Sequence, residues 1–302
     1  MTNFKWLGSF LLAANLNPVL PAETHCPGNV ASVSFRLVNR HQMIVAVSVN
    51  HSGPYNFLLD TGMQVTAVDP SLAAELRLVP SGAAVVAGAG SLQSASYVEL
   101  DLLEAGSHAV PNQNVLVYDL QHRHAVDLRI RGILGEDFLE HFDMLVDYVH
   151  NLLCLDDSSA MRAEVRGPHT ALVIPKEPAD GPVLPNLIIV EVRLSDATRP
   201  LHLMLDSGAN GAILYNTSEY LAPPQRGYSR GTGVDGKQLT FWALPAQQVK
   251  IGSHELNGVA FFSLPGIQKD SRAKGFDGVL TMGVFRRIFI CHTGHFVVLD
   301  PR

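Results

Sequence analysis

Two short segments of the chain, Asp60-Thr61-Gly62 and Asp206-Ser207-Gly208, each follow an apolar run, in FLLDTG and in LMLDSG. An aspartate in a turn is ordinary, but two of them, each delivered by a strand, make a pair of equivalent carboxylates. Such a pair suits acid-base work on water, one group taking a proton while the other gives one. Two carboxylates a few ångströms apart do not both ionise comfortably, so one keeps a proton. The titration belongs to the pair, and either Asp60 or Asp206 can hold that proton.

The spacing supports a built pair. Asp60 and Asp206 stand 146 residues apart, as do Gly90 and Gly236, Gly106-Ser107-His108 and Gly252-Ser253-His254, Gly132 and Gly278, and Leu134 and Leu280. One offset held without a gap at separated places reads as a tandem duplication, each unit contributing one carboxylate.

Other residues with chemical potential fit less well. Ser107-His108 and Ser253-His254 lack a G-x-S-x-G elbow, and adjacent residues on a strand point apart, so they read as repeated hairpin turns. His122-Arg123-His124, His141 and His150 have no carboxylate or cysteine at ligand spacing, and no metal is expected. Gly88-x-Gly90 is too short for a dinucleotide fingerprint and no crossover helix follows it. Asn216-Thr217-Ser218 matches a glycosylation acceptor by pattern only.

The 302 residues are 47% apolar and 17% charged, enough for about two domains with a sizeable core. A net charge of −6 leaves no basic surplus for nucleic acid. Residues 4–22 carry one lysine, an apolar stretch and Leu20-Pro21-Ala22, which reads as a secretory signal peptide or, alternatively, as a packed or disordered arm. Asn15, Asn17 and Pro18 interrupt the stretch, so no stable membrane span is expected. With a signal peptide the protein is exported, to a periplasm or to the outside. Three cysteines without C-x-x-C spacing support no disulfide framework or zinc site, and Cys154 and Cys291, in apolar runs, read as buried small hydrophobes.

Four stretches follow. Residues 1–29 are the signal peptide and arm, 30–157 the first lobe, 158–184 a connection rich in Pro, Ser and charge, and 185–302 the second lobe. Short alternating runs separated by Gly, Pro and Asn predict strands throughout, with a brief helical turn carrying Phe138, Leu139 and Phe142. TALVIP within the connection has the composition of a strand that pairs across the lobes.

An apolar strand ending in Asp-[Thr/Ser]-Gly, a glycine-containing hairpin, then Gly-Ile-Leu-Gly before a short helix and a strand resembles a retropepsin-like aspartic peptidase lobe. Over residues 30–302 the chain resembles two such lobes fused. The resemblance implies an all-β fold with short helices, two pseudo-twofold-related acid-protease lobes forming a bilobal barrel with a central cleft. It implies an aspartic endopeptidase without cofactor or metal, a monomer because one chain holds both halves, acting on polypeptide. Asp60 and Asp206 match the catalytic aspartates. Thr61 and Ser207 match hydroxyl residues that bond across the axis, and Gly62 and Gly208 the glycines beneath the carboxylates. Ile133-Leu134-Gly135 matches the segment packed behind the first loop; Val279-Leu280-Thr281 is its counterpart, with Thr281 in place of the glycine. Gly88, Gly90, Gly233 and Gly236 mark the candidate flap hairpins. Tyr97, Phe241 and Trp242 read either as flap aromatics or as ordinary strand side chains.

In acid-active members of this family a hydroxyl residue often follows the glycine and donates to the outer carboxylate oxygen. Here those positions are Met63 and Ala209, which have no side-chain donor, so a mildly acidic to near-neutral optimum is expected. The second reading, prompted by Met63, Thr281 and a shortened closing segment, is a protease-like module that binds peptides and cuts none. A processing enzyme for one dedicated partner is the third reading.

Overall fold

Gln42–Val49 shows how the sequence builds its strands: Met43, Val45, Val47 and Val49 alternate toward the core, β-branched residues filling a pleated face. In the computed structural model, residues 25–88, 91–120, 123, 127–174, 187–215, 217–219, 221, 227–232, 237–264 and 275–302 are described. They form three sheets with short helices between them, the all-β architecture expected.

An eight-stranded sheet belongs to the first half. Its order is Phe35–Val38, Gln42–Val49, Ser52–Leu59, Ile130–Leu134, Ala67–Val68, His108–Val117, Ser91–Ala105 and Pro80–Gly88. A nine-stranded sheet belongs to the second, with Leu201–Asp206, Gly278–Thr281 and Ala212–Leu214 at its centre. The duplication is legible in the register. Leu58 lies opposite Ile133 and Leu59 opposite Leu134 in parallel pairing; Met204 opposite Val279 and Leu205 opposite Leu280 repeat this 146 residues on. Ala67 paired with Leu116 likewise becomes Ile213 paired with Phe262. The repeat slips by one elsewhere: Met43 faces Leu59 but Ile189, 146 residues on, faces Met204, and in the outer hairpins Ala83 faces Ser96 but it is Tyr228, 145 residues on, that faces Trp242.

The two Gly-Ser-His segments are tight turns, with Ala105 opposite His108 and Ile251 opposite His254. Gly106 and Gly252 supply the positive φ there, 62° and 57°, which a side chain would resist.

The third sheet joins the halves. Leu152–Asp156 and Asp143–Asp147 come from the first, Phe285–Cys291 and Phe296–Pro301 from the second, and His169–Ala171 pairs at its edge with Phe296–Pro301. Within the connection, Ala160–Glu164 is helical, and Leu172 bridges to Val190. One hydrophobic cluster runs from Val33 to Leu299 through both halves.

The cysteines depart from expectation. Cys26 and Cys154 form a disulfide across 128 residues, while Cys291 is free and buried. Cys154 is buried as its apolar context implies, but the arm runs back along Leu152–Asp156, where Val33 N–H donates to Leu153 O at 2.8 Å and brings Cys26 alongside. Composition gives no sign of that return. The proposed signal segment lies outside the described residues, and among the described residues no helix is long and apolar enough to cross a membrane.

Candidate active site

Strands Ser52–Leu59 and Leu201–Asp206 end at the two aspartates, and each is fixed from behind by its parallel neighbour. Asp60 N–H donates to Leu134 O at 3.0 Å, so Leu134 sets where the first loop begins. The loops then grip each other. The Thr61 hydroxyl donates to Leu205 O at 2.9 Å and accepts from Ser207 N–H at 3.0 Å. The Ser207 hydroxyl donates to Leu59 O at 2.9 Å and accepts from Thr61 N–H at 3.1 Å. Thr61 and Ser207 are fully buried, so these bonds face no competing water.

Past the hydroxyl residues the chain turns tightly under the opposing carboxyl. A Cβ on Gly62 would fall 2.5 Å from Asp206 Oδ2, and one on Gly208 would overlap Asp60 Cγ. Only glycine permits both turns. Asp60 Oδ1 accepts Gly62 N–H at 3.0 Å, and Asp206 Oδ1 accepts Gly208 N–H at 2.7 Å and Ala209 N–H at 2.8 Å. Asp60 is buried and Asp206 half-buried. Burial, and then the neighbouring Asp60 carboxyl, push the Asp206 carboxyl well above the usual carboxylate range, against the pull of the Arg123 guanidinium.

Arg123 figured in the sequence only as the middle of His122-Arg123-His124, not as a partner of either aspartate. Its Nη2 donates to Asp60 Oδ2 at 3.1 Å, from the segment between His108–Val117 and Ile130–Leu134. A basic residue recurs at the same register in the second half, Lys269, which was the one available signal in the sequence; Lys269 itself lies outside the described residues.

The supports behind the loops differ. Gly135 is packed so closely that a Cβ would fall 2.8 Å from Met63 O, and Glu136 N–H donates to that same carbonyl at 2.8 Å. Gly135 N–H donates to the Thr66 hydroxyl, which donates on to Asp137 Oδ1 at 2.6 Å. Burial pushes the Asp137 carboxyl up to about 6. In the second half, Thr281 replaces the missing glycine with a hydrogen bond, its hydroxyl donating to Ala209 O at 2.8 Å and accepting from Gly283 N–H. His41 Nε2 donates to the same Ala209 carbonyl at 2.9 Å, and buried Gln42 donates to Gly208 O. Both come from the first half, and their sequence context, the start of an ordinary strand, gave no hint of it.

Ile133, Leu134, Val279 and Leu280 occupy the central strands. Gly88 closes the first hairpin opposite Ser91, whereas Gly90, Gly233 and Gly236 lie outside the described residues. Tyr97 lies well down that hairpin, paired with Leu116 and Gly82, and Phe241 covers Gly231. Trp242 is paired with Tyr228 and Ser263, at the base of the second hairpin.

A family model described as aspartyl protease matches residues 45–138, from within Gln42–Val49 to the helix after Gly135. Among curated proteins none matches. The crystal structure of an aspartic proteinase from Irpex lacteus superposes with a TM-score of 0.51 at 14% identity, covering 90% of this chain and 97% of that one. The fold is that of the pepsin and retropepsin-like aspartic peptidases. In this aspartic-peptidase fold the family match lies within the first half of the chain, and the match in structure extends across both halves.

Proposed function

We propose that the protein is an aspartic endopeptidase in which a water held between Asp60 and Asp206 attacks the scissile carbonyl of an extended polypeptide. The ionised carboxylate takes the water's proton as the oxygen bonds to carbon, and the protonated partner gives its proton to the carbonyl oxygen. Collapse of the resulting diol returns one hydroxyl proton to the second carboxyl, while the first carboxyl passes the proton it took from water to the leaving amine, which restores the starting pair. Aspartic peptidases are the standard illustration of two carboxyls sharing one proton, and the chemistry is taken from that case. The observation that carries this reading is the reciprocal bonding of Thr61 and Ser207, whose hydroxyls tie the ends of the two Asp-bearing strands together.

The hairpin ending at Gly88, with its counterpart near Gly233 and Gly236, is the proposed edge to which substrate adds as a strand. The protein acts as a monomer in this reading, since one chain supplies both carboxyls. A Cys26–Cys154 disulfide suits an oxidising compartment and supports the proposed export.

Asp60→Asn and Asp206→Asn should each abolish cleavage in a digest of an unbiased peptide library while the far-ultraviolet circular dichroism is unchanged. Turnover retained by either variant refutes the assignment. Library peptides retained by the wild-type protein but never cut between about pH 3 and pH 8 would identify a silent binding module instead.

A further inference from the structure

The two carboxyls are related by a pseudo-twofold, yet their surroundings are not. Each inner oxygen, Oδ1, accepts backbone N–H groups from its own loop, one at Asp60 and two at Asp206. The residues after the glycines, Met63 and Ala209, bring no side-chain donor to either outer oxygen. At Asp60 that place is taken by a cation, Arg123 Nη2, at 3.1 Å from Oδ2. Among the described residues no cation contacts Asp206 in this way. The Arg123 Nε is buried without a partner among the described residues, so its charge is not shared there with a second carboxylate. The guanidinium is about one-fifth exposed, which limits how far water screens it.

We infer that Arg123 breaks the symmetry of the pair: it holds Asp60 as the ionised carboxylate, the general base, and leaves Asp206 to carry the proton that goes to the substrate carbonyl. The inference rests on the reading of Asp60 and Asp206 as the working pair. Asp206 has one more backbone N–H than Asp60, but hydrogen bonds from a charged donor are roughly twice as strong as neutral ones, so the cation outweighs the extra amide. Among the described residues the other titratable groups facing the pair do not compete. Burial pushes Tyr118, beside Arg123 and Asp60, up to about 12, and pushes Tyr215, beside Asp206, up as well, so both stay neutral in the working range. Arg123 is therefore a positioning residue. It stands where a hydroxyl was expected and absent, and it shifts the working range of the pair toward acid relative to two carboxyls with no donor at all.

The test is the pH profile of cleavage for wild type, Arg123→Gln and Arg123→Lys on one peptide taken from the library digest. A cation lowers both macroscopic constants of the pair, so its removal raises both. Arg123→Gln should move the acid and alkaline limbs upward together by about one pH unit or more, and Arg123→Lys should keep the profile near wild type. A profile for Arg123→Gln that overlays wild type overturns the inference. So does a turnover that rises by the same factor at every pH with no displacement, since Arg123 would then be an obstruction. If wild type cuts nothing, the peptidase reading has failed, and the inference is judged separately by carboxyl carbon-13 titration of Asp206. That titration should move upward in Arg123→Gln, and an unchanged titration overturns it.

Discussion

Thr61→Val removes one hydroxyl and leaves the side chain's shape almost intact, which makes it a clean probe of how the lobes are held together. The hydroxyl satisfies two backbone groups of the other lobe, Leu205 O at 2.9 Å and Ser207 N–H at 3.0 Å. Leu205 and Ser207 are fully buried, so neither group finds water when the hydroxyl goes. Leaving a buried donor or acceptor unpaired costs about 1–3 kcal/mol each, so the variant should lose about 2–6 kcal/mol. Ser207→Ala orphans Leu59 O and Thr61 N–H, the same two groups 146 residues away, and should lose a similar amount. Urea unfolding at near-neutral pH, followed by far-ultraviolet circular dichroism and fitted for midpoint and slope, reads the loss directly. A loss under about 0.5 kcal/mol in both variants would refute the reading of these hydroxyls as partners that the buried backbone groups need.

Two further outcomes follow from the same geometry. The Asp206 carboxyl is raised by burial and by Asp60, so the folded state prefers it protonated and loses stability as pH climbs from the unfolded carboxylate value, near 4, up through the raised folded value. Asp206→Asn should therefore match wild type in melting temperature below about pH 4 and exceed it by about 2 °C or more at pH 7; equal melting curves at pH 7 would contradict the raised carboxyl. Cys26→Ser opens a covalent loop of 128 residues and should cost about 2–5 kcal/mol in urea unfolding, an effect reproduced in wild type by reductant. No change on reduction would mean the cross-link does not hold the arm in solution.

Much of the centre of the molecule was legible because its constraints are local. Asp-Thr-Gly after FLL and Asp-Ser-Gly after LML need only a strand, a hydroxyl and a glycine in sequence, and the constant offset tells that one arrangement occurs twice. The paired strands Leu58 with Ile133 and Met204 with Val279 keep that offset because both faces of the central sheets are buried, and a slip of one residue would turn every side chain over. At the outer hairpins, where Tyr228 and Val85 are exposed, the register slips by one, and so it does in the neighbouring antiparallel pairing, where Met43 faces Leu59 but Ile189 faces Met204. Thr281 was legible as a departure but not as a repair. Its hydroxyl matters because of where the Ala209 carbonyl lies, and nothing near Thr281 in sequence reveals that carbonyl.

The sequence by itself determined the β architecture, the duplication and the six residues of the two loops, because periodicity, turn chemistry and a repeated offset are properties of neighbours along the chain. Only the tertiary structure decided that Cys26 meets Cys154, that His41 and Gln42 brace the opposite lobe, and that Arg123 reaches Asp60. Each of these joins residues 63 or more positions apart through one isolated contact, and a lone residue with no repeat or motif leaves no trace of its partner until the chain has folded.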